Sequence, residues 1–503
     1  MGLMGRIKSW FKIGGAKMGI GTQLAKITDH PRIGVSAQEY DRIDDDLRYF
    51  QGDFPAVEYR NTYGHTRKRA YVPLNMAQVV CKNLASILVN ENMTIDIKGN
   101  SAALKFVQDV FEHNDFNKNL ERYLESGLAL GGLAMRPYVD GDTIKIAYVQ
   151  APVFYPLRSN TGDVSEAAIA SRSTTTQGQM PIYWTLLEFH SWSKDGKTYA
   201  IDNELYRSDQ KGMVGVQVDL SMMYDDLLPH VEMEGLTRPL FTYFKPFGFN
   251  NKDITSPLGL SIYDNARSTL QAINDAYDKF HWEIKMGGKR IVVPERMTKL
   301  MVNEAGDEEL AFDEDQNVFV SINGDMDDAK IVDLNSAINT DQYSNTLSEL
   351  LRKLETQVGL SAGSLSPNLA QSQKTATEIV SEDSLTYRTR SSHLTNVERT
   401  IQELTVSILE LAVAYELYHG DIPAVGDILV NFDDGVFTDK SAQLDYYSKL
   451  VGAGLYSKKR AIQKVMDVSE TEAAKILQEI QDESPVPAMG GLDTNMFGGG
   501  GDE

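Results

Sequence analysis

The amino-acid sequence predicts an α+β fold that is mainly helical, and three features of the chain lead to this prediction. Residues 256–287 and 339–360 repeat apolar side chains at alternating spacings of three and four, which aligns them on one stripe of an α-helix. Residues 374–419 predict a third long helix. Residues 130–250 instead alternate apolar and polar side chains, as half-buried β-strands do.

The first 125 residues are predicted to be mostly helical. Ser36 stands three positions before Glu39, a capping-box pattern that opens a helix at about residue 37. Apolar runs at residues 75–92 and 102–126 predict further helices. The single cysteine, Cys81, lies within the first of these runs, so we expect a small buried side chain rather than a reactive thiol.

Two hairpins are predicted in the β-rich region. In each, an Asp-Gly dipeptide separates two alternating segments, and this dipeptide suits the positive φ angles of a tight hairpin turn. The predicted strand pairs are residues 133–139 with 143–149, and residues 182–192 with 198–206.

The helix predicted at residues 256–287 has a regular apolar stripe. The stripe consists of Ala266, Leu270, Ile273, Tyr277, Phe280 and Ile284. Such a stripe requires a neighbouring apolar surface. The helix at residues 339–360 offers one through Leu347, Leu351, Leu354 and Val358. We therefore expect the stripe of each helix to be buried against another helix.

The segment between these helices is predicted to contain short strands and acidic loops. Residues 290–293 and 317–321 are strand-like. The acidic residues are Glu304, Asp307, Glu308, Glu309, Asp313, Glu314, Asp315, Asp325, Asp327 and Asp328. They lack the order of ligands that a calcium-binding loop has. We therefore favour an acidic surface that faces a partner over a metal site.

An uncharged loop and a helical end complete the chain. Residues 361–373 (SAGSLSPNLAQSQ) carry no charge and precede the third long helix. The elements predicted after that helix are a strand at residues 428–432 and short helices at residues 440–450, 457–465 and 469–481. The Gly- and Pro-rich tail from residue 484 is predicted to be disordered.

The composition argues against several classes of function. Asp and Glu number 71 against 49 Lys and Arg, and the resulting net charge of −22 should repel DNA from the chain as a whole. No run approaches the roughly 18–20 apolar residues that span a bilayer. The first 27 residues are basic, and we expect them to pack on a neighbouring subunit, with a membrane-surface arm as the alternative. The sequence predicts a cytosolic protein.

The sequence contains no catalytic motif, so we predict no enzyme, no cofactor and no metal. The eight histidines are scattered, and neither a His-Glu-x-x-His nor a Gly-x-Ser-x-Gly pattern occurs. Residues 285–290 (KMGGKR) lack the first glycine and the final Ser or Thr of a phosphate-binding loop. A metal-dependent nuclease that uses the carboxylates of residues 288–337 is a minor alternative.

Five stretches, in their order along the chain, resemble the portal (head-tail connector) proteins of tailed bacteriophages. The resemblance is closest to the type found in long-tailed phages of Gram-positive bacteria. The stretches are residues 75–92 (NMAQVVCKNLASILVNEN), 129–139 (ALGGLAMRPYV), 256–280 (SPLGLSIYDNARSTLQAINDAYDKF), 374–378 (KTATE) and 454–480 (GLYSKKRAIQKVMDVSETEAAKILQEI).

The resemblance implies a homo-oligomeric ring, twelve subunits in number, at one capsid vertex of a virion that is assembled in the host cytoplasm. Such a ring docks terminase and passes double-stranded DNA without sequence specificity during packaging and ejection. It later binds a head-completion or adaptor protein, and major capsid and scaffolding proteins are further partners. A rival hypothesis from the residues alone is a non-viral coiled-coil scaffold that binds a basic partner.

The resemblance also implies a division of the chain into the parts of the portal fold. The parts are a wing with β-structure (residues 1–255 and 374–437), two stem helices (256–287 and 338–360), a small α/β clip (288–337), a tunnel loop (361–373), a helical crown (438–483) and a disordered tail (484–503).

Each part has implied functional residues. The DNA-facing residues of the tunnel loop are Ser361, Ser364, Ser366, Asn368, Gln371, Ser372, Gln373 and Lys374. The clip residues implied to bind partners are Glu308, Glu309, Asp313, Glu314 and Asp315. The stem residues implied to pack are Leu270, Ile273, Tyr277, Phe280, Leu347, Leu351 and Leu354.

Overall fold

The computed structural model describes most of the chain, which divides into two compact units, Met1–Asp433 and Asp434–Glu503. The described residues are 23–60, 65–89, 93–160, 163–286, 291–294, 300–302, 308–310, 319–322, 332–333, 339–366, 384–432, 440–466 and 470–483. The predicted disordered tail and the basic arm before residue 23 lie outside them. Helices and strands are mixed, as the α+β prediction requires.

Four helices open the first unit. They are α1 (Ala37–Gln51), α2 (Met76–Leu88), α3 (Ser101–His113) and α4 (Phe116–Leu130). The predicted start of α1 is confirmed, since the Ser36 hydroxyl accepts the N–H of Gln38 at 3.2 Å. Cys81 on α2 is fully buried, which confirms its structural role, and burial raises the pKa of its thiol.

The predicted helical stretch at residues 102–126 is divided into α3 and α4 by Asn114 and Asp115. Asp115 has a left-handed backbone at φ 45°. The Asn114 amide donates to the carbonyl oxygens of Val110 and Ile144, at 2.7 and 2.9 Å, and its oxygen accepts the N–H of Ile146. The break is therefore fixed by a contact with a strand 30 residues further along the chain.

The β-rich region forms two antiparallel sheets. The larger contains β1 (Gln23–Leu24), β7 (Phe154–Ser159), β8 (Val164–Gln177), β9 (Met180–Trp192), β10 (Thr198–Ser208), β11 (Gly215–Val218) and β12 (His230–Glu234). Its order is β1-β11-β10-β9-β8-β7, and β12 also pairs with β10. The smaller sheet has the order β13-β5-β6, with β5 at Leu133–Asp140, β6 at Thr143–Gln150 and β13 at Thr242–Phe244.

Both predicted hairpins are confirmed. The β5–β6 turn contains Gly141 at φ +62°, and the β9–β10 turn contains Gly196 at φ +70°. Two smaller sheets pair β2 (Val57–Arg60) with β3 (Thr66–Arg69), and β4 (Thr94–Ile97) with a late strand at Ile428–Asn431. The late strand agrees with the prediction for residues 428–432.

The first long helix, α5 (Arg267–Met286), begins eleven residues later than the sequence predicts. Residues 256–263 instead have no helical structure, and the N–H of Ile262 donates to the carbonyl oxygen of Leu128 in α4 at 3.1 Å. Gly259 and Gly131 approach so closely that a Cβ on Gly259 would lie 2.3 Å from the carbonyl oxygen of Gly131. The apolar residues of this segment are buried in an irregular conformation, and their spacing alone does not distinguish that from a helix.

Between α5 and α6 (Thr340–Val358) the structure describes five short strands. They are β14 (Ile291–Pro294), β15 (Leu300–Val302), β16 (Glu308–Leu310), β17 (Phe319–Ile322) and β18 (Val332–Asp333). β14 pairs with β17 in parallel and with β18 in antiparallel orientation, and β15 pairs with β16. The predicted strands at residues 290–293 and 317–321 correspond to β14 and β17.

Helix α7 (Ser384–Ala414) provides part of the core of the first unit. Ile401, Leu404 and Ile408 on this helix are fully buried. The helix ends before the predicted residue 419, since Glu416 has a left-handed backbone and the N–H of Leu417 donates to the carbonyl oxygen of Ala412 at 2.8 Å. The predicted first turns at residues 374–383 lie outside the described part.

The described residues of the second unit form three helices. They are α8 (Lys440–Gly452), α9 (Lys458–Met466) and α10 (Glu470–Glu483), and they confirm the three short helices that the sequence predicts. The late strand of the first unit, Ile428–Asn431, is β19 in chain order. Among the described helices of both units, none has the length and hydropathy of a membrane span.

Candidate functional site

The candidate site is the root of the uncharged loop, where the chain leaves α6 and later returns in α7. Gly359 ends α6 with a left-handed backbone at φ +78°. A Cβ at this position would lie 2.4 Å from the Oγ1 of Thr389, so a larger residue would clash with α7. The N–H of Leu360 donates to the carbonyl oxygen of Glu355 at 2.8 Å, which closes the helix end.

The side chain of Glu355 binds the backbone of the loop root. This residue is 1% exposed, and its Oε1 accepts the N–H groups of Leu365 and Ser366 at 2.6 and 2.7 Å. Both carboxylate oxygens lie 3.2 Å from the N of Gly363, and Oε2 lies 3.2 Å from the Ser366 hydroxyl. A carboxylate in the last turn of a helix opposes the helix dipole. These hydrogen bonds offset that cost and hold residues 363–366 against α6.

A second contact fastens the root to α7. Ser361 and Thr386 are 3% and 5% exposed, and each backbone N–H donates to the side-chain oxygen of the other residue, at 2.8 and 3.1 Å. Their two hydroxyl oxygens are 3.0 Å apart. The loop root is therefore fixed to both helices.

The structure separates the predicted DNA-facing residues into two groups. Ser361 and Ser366 are buried. The Ser361 hydroxyl binds Thr386, and the Ser366 hydroxyl binds Glu355. Their burial argues against direct contact with DNA. Ser364 is exposed, and its hydroxyl donates to the carbonyl oxygen of Ser361 at 2.7 Å. The remaining predicted residues, Asn368, Gln371, Ser372, Gln373 and Lys374, lie outside the described residues.

The predicted partner-binding carboxylates lie between α5 and α6. Glu308 and Glu309 belong to β16, opposite Val302 and Met301 of β15. The acidic residues Asp313, Glu314 and Asp315 lie outside the described residues. The partner-binding role of all five stays a prediction.

The predicted stem residues lie on the packed faces of α5 and α6. Leu270, Ile273 and Leu354 are almost completely buried, and Leu351 is 9% exposed. Tyr277, Phe280 and Leu347 are half-buried, and the ring centroids of Phe280 and Tyr343 lie 5.1 Å apart. Ile284, near the end of the α5 stripe, is 48% exposed. The two helices thus contact each other within one chain, and α5 retains exposed apolar surface toward its end.

A polar clamp on α5 was not predicted from the sequence. The guanidinium of Arg69 donates two hydrogen bonds of 2.6 Å to Asp278, which also accepts the N–H of Val72. The hydrogen bond from Arg69 lowers the pKa of Asp278. Asn274, one turn earlier, accepts the N–H of Leu74 at 3.1 Å. These contacts fasten residues 69–74 to the polar side of α5.

A buried group of charges joins α1 to the segment before α5. The guanidinium of Arg42 lies within 3.5 Å of carboxylate oxygens of Glu39, Asp46 and Asp264, and it also donates to the carbonyl oxygen of Gly259. Burial, together with the Asp264 carboxylate, raises the pKa of Asp46 to about 8. Glu39, predicted only as a capping residue, thus belongs to this buried group.

One of these missed residues had a signal in the sequence. Glu355 stands in the last turn of a predicted helix, where an acidic residue is unfavourable unless donors satisfy it. Arg42 and Asp264 had no such signal, because 222 residues separate them in the chain. Within the described residues, no group of three or more His, Cys, Asp or Glu side chains is arranged to hold a metal ion.

Comparison with known proteins identifies one matching family. The family model described as "Phage portal protein, SPP1 Gp6-like" matches residues 29–486. No curated protein matches the sequence. Among the solved chains that are distantly similar, one comes from the virion of a native gene transfer agent particle and another from the neck of such a particle computed with C12 symmetry. They are 11% and 12% identical with TM-scores of 0.38 and 0.41, and each alignment covers 84% of this chain and 92% of the other.

Proposed function

Because the chain belongs to the SPP1 Gp6-like family of phage portal proteins, we propose that twelve copies form a ring at one capsid vertex. The ring conducts double-stranded DNA during packaging and ejection. The observation on which this proposal depends is the family match, which extends from residue 29 to residue 486 and so includes both described units. A non-viral scaffold does not account for a match of this extent.

The helices α5 and α6 are proposed to be the stem of each subunit. Their contact through Phe280 and Tyr343 supports a two-helix stem, and the short strands between them are proposed to be the clip. We assign residues 1–255 and 374–437 to the wing, and the three helices of the second unit to the crown. In a ring with one repeated heterologous contact, each α5 can also pack on the next subunit. The half-exposed Ile284 is suited to such a contact.

The loop after α6 is proposed to face the DNA in the channel. A conduit must let DNA move in both directions, and strong contacts between cations and phosphates would slow that movement. Residues 361–373 contain no charged side chain, which supports a low-friction surface. The bonds of Glu355 and the Ser361–Thr386 pair keep the root of the loop in place, so the proposed DNA contacts belong to Ser364 and to residues 368–374.

The acidic clip is proposed to dock terminase first and a head-completion protein later. Complementary charge raises the encounter rate and orients the partners. Major capsid and scaffolding proteins are proposed to contact the outside of the ring in the host cytoplasm, before the finished portal remains in the virion. Portal proteins are structural components, and we propose no catalytic activity for this chain.

The docking proposal is tested by reversing the clip charges. We expect the triple variant Asp313→Lys, Glu314→Lys, Asp315→Lys to retain at most about a tenth of the wild-type binding to terminase in a pull-down, while the rings stay assembled. A matched control reverses Glu112, Asp140 and Asp142, three exposed carboxylates outside the clip. Equal terminase binding by the clip variant and the wild type would contradict the proposed docking site.

A further inference from the structure

The second unit carries a basic stretch, although the chain as a whole is acidic. Residues 446–466 contain no carboxylate side chain, whereas the net charge of the chain is −22. The cations of this stretch are Lys449, Lys458, Lys459, Arg460 and Lys464. The last four belong to α9, a helix of 9 residues. We call these four residues of α9 the basic patch.

The charges of the basic patch are open to solvent. Lys458, Arg460 and Lys464 are exposed, and no carboxylate of a described residue pairs with any of the three. On α8, by contrast, Lys449 pairs with Asp445 at 3.4 Å. Arg460 and Lys464 stand four positions apart on one helix, where like charges repel each other and destabilise the helix. An anionic partner would remove this repulsion.

The start of α9 is fixed on the unit, so the basic patch has a defined position. The Ser457 hydroxyl accepts the N–H of Arg460 at 3.2 Å. The ring centroid of Tyr456 lies 5.4 Å from that of Tyr447 on α8. The patch therefore pays little conformational entropy of the backbone when it binds a partner.

The spacing of the cations suits a row of phosphates. Arg460 and Lys464 are separated by about 6 Å along the helix axis. Phosphates of one DNA strand recur about every 3.4 Å along the duplex, so these two side chains can bind phosphates of the same strand. A guanidinium such as that of Arg460 can also bind a phosphate through two parallel hydrogen bonds.

A membrane surface is another anionic partner, but α9 is poorly suited to it. A helix that lies on a membrane presents a large apolar face beside its cations. The side of α9 opposite Arg460 and Lys464 is half-buried, and α9 contacts both α8 and α10. The apolar residues of that side are Ala461, Ile462 and Val465. They are used within the unit, which favours a polyanion that cations alone can bind.

We propose that the basic patch of α9 is a binding site for the phosphate backbone of double-stranded DNA. Phosphate contacts carry no sequence information, so the site accepts any base sequence. The inference rests on the proposed function for the presence of DNA beside the ring. Each subunit of a ring contributes one patch, and several weak contacts act together on one duplex. The uncharged loop of the first unit lets DNA move, whereas the basic patch retains it.

The first test measures DNA binding by the whole chain through the anisotropy of a fluorescein-labelled duplex. The patch variant replaces Lys458, Lys459, Arg460 and Lys464 by glutamine, which has a similar helix propensity. We expect its affinity to fall at least about tenfold at 50 mM salt, and the slope of log K against log[salt] to decrease by about 3. The matched control replaces four exposed lysines of the first unit, Lys98, Lys118, Lys194 and Lys197, by glutamine and should bind as wild type does.

The outcomes of this test separate the inference from the proposed function. Native mass is measured on the same samples, so a wild type that forms no ring contradicts the proposed function whatever its DNA binding. Equal affinity and equal salt dependence of patch variant and wild type would overturn the inference even if both form rings. Loss of binding by the control to the same extent would also overturn it, as would binding of wild type to phosphatidylserine vesicles but not to DNA.

A second test maps the contact on the unmodified sequence. Acetylation by an N-hydroxysuccinimide ester reports how accessible each lysine amine is. We expect a DNA duplex to slow the acetylation of Lys458 and Lys464 at least about threefold, because an amine bound to a phosphate is shielded. Lys118 and Lys194 should react at the same rate with and without DNA. Unchanged rates at Lys458 and Lys464 in the presence of bound DNA would place the contact elsewhere and overturn the proposal.

Discussion

Single buried side chains determine where the proposed channel loop begins. Glu355 is an acidic residue at an unfavourable helix end, and it is stabilised there by backbone N–H groups of the loop. Sequence reasoning predicted the cap at Ser36, because its donor lies two residues away. It did not predict Glu355 as a structural residue, because its donors come from the loop. It did not predict the role of Arg42 either, because one of its carboxylate partners, Asp264, lies 222 residues away in the chain. A cap at a helix start is therefore predictable from sequence, whereas a buried charge group that includes a distant partner is not.

The variant Glu355→Gln tests the loop root. An amide provides one acceptor oxygen instead of two and carries no charge, so we expect a loss of about 2 kcal/mol in stability. Hydrogen exchange at residues 363–366 should accelerate in parallel. Glu349→Gln is the matched control, because Glu349 is on the same helix with a side chain that is 71% exposed. Unchanged exchange at residues 363–366 would contradict the role assigned to Glu355.

The variant Asp46→Asn tests the buried charge group through its pH dependence. An unfolded aspartate titrates near pH 3.9, whereas the folded pKa of Asp46 is about 8. Between these values the folded protein holds a proton that the unfolded chain releases, so stability from this group is lost as the pH rises. The stability of Asp46→Asn relative to wild type should therefore increase from pH 4 to pH 8, by at most about 1.4 kcal/mol per pH unit.

Thermal unfolding at several pH values measures this difference. Asp45→Asn is the control, because the side chain of Asp45 is 53% exposed on the same helix. Parallel pH profiles of Tm for wild type and Asp46→Asn would show that Asp46 does not titrate in this window.

At the scale of elements, the periodicity of apolar residues predicts the helices and hairpins correctly, but it misplaces the start of α5 and the end of α7. The β5–β6 and β9–β10 hairpins and the three helices of the second unit agree with the sequence. The start of α5 was placed too early, because the buried residues of 256–263 fit a helical spacing while a close contact between Gly259 and Gly131 holds them in an irregular conformation. The spacing of apolar residues therefore does not predict a helix end that depends on tertiary contacts.

The variant Leu351→Asp tests the packing of α6. Leu351 is 9% exposed, so the substitution buries a charge without a partner and should cost about 3–5 kcal/mol. We expect monomers or aggregates in place of rings on a sizing column, together with a lower Tm. Asn345→Asp introduces the same charge at an exposed position of the same helix and should behave as wild type. Intact rings formed by Leu351→Asp would argue against a packed stem.

For the whole molecule, the family match and the net charge of −22 support one interpretation. The proposed conduit would have to surround DNA without binding it tightly, and an acidic chain with an uncharged loop is consistent with that proposal. In the sequence, this interpretation depends on the order of the five stretches that resemble portal proteins, because none of these motifs is specific by itself. The sequence did not predict how the loop root is fixed, because that depends on contacts between α6, the loop and α7.

The central claim is the ring, and native mass spectrometry combined with electron microscopy of the purified protein tests it most directly. Twelve copies of the 56.0 kDa chain should give a particle of about 672 kDa with a central hole. A ring with a neighbouring subunit count, such as thirteen, would support the same account. A monomer or dimer that forms no ring even at high concentration would contradict it.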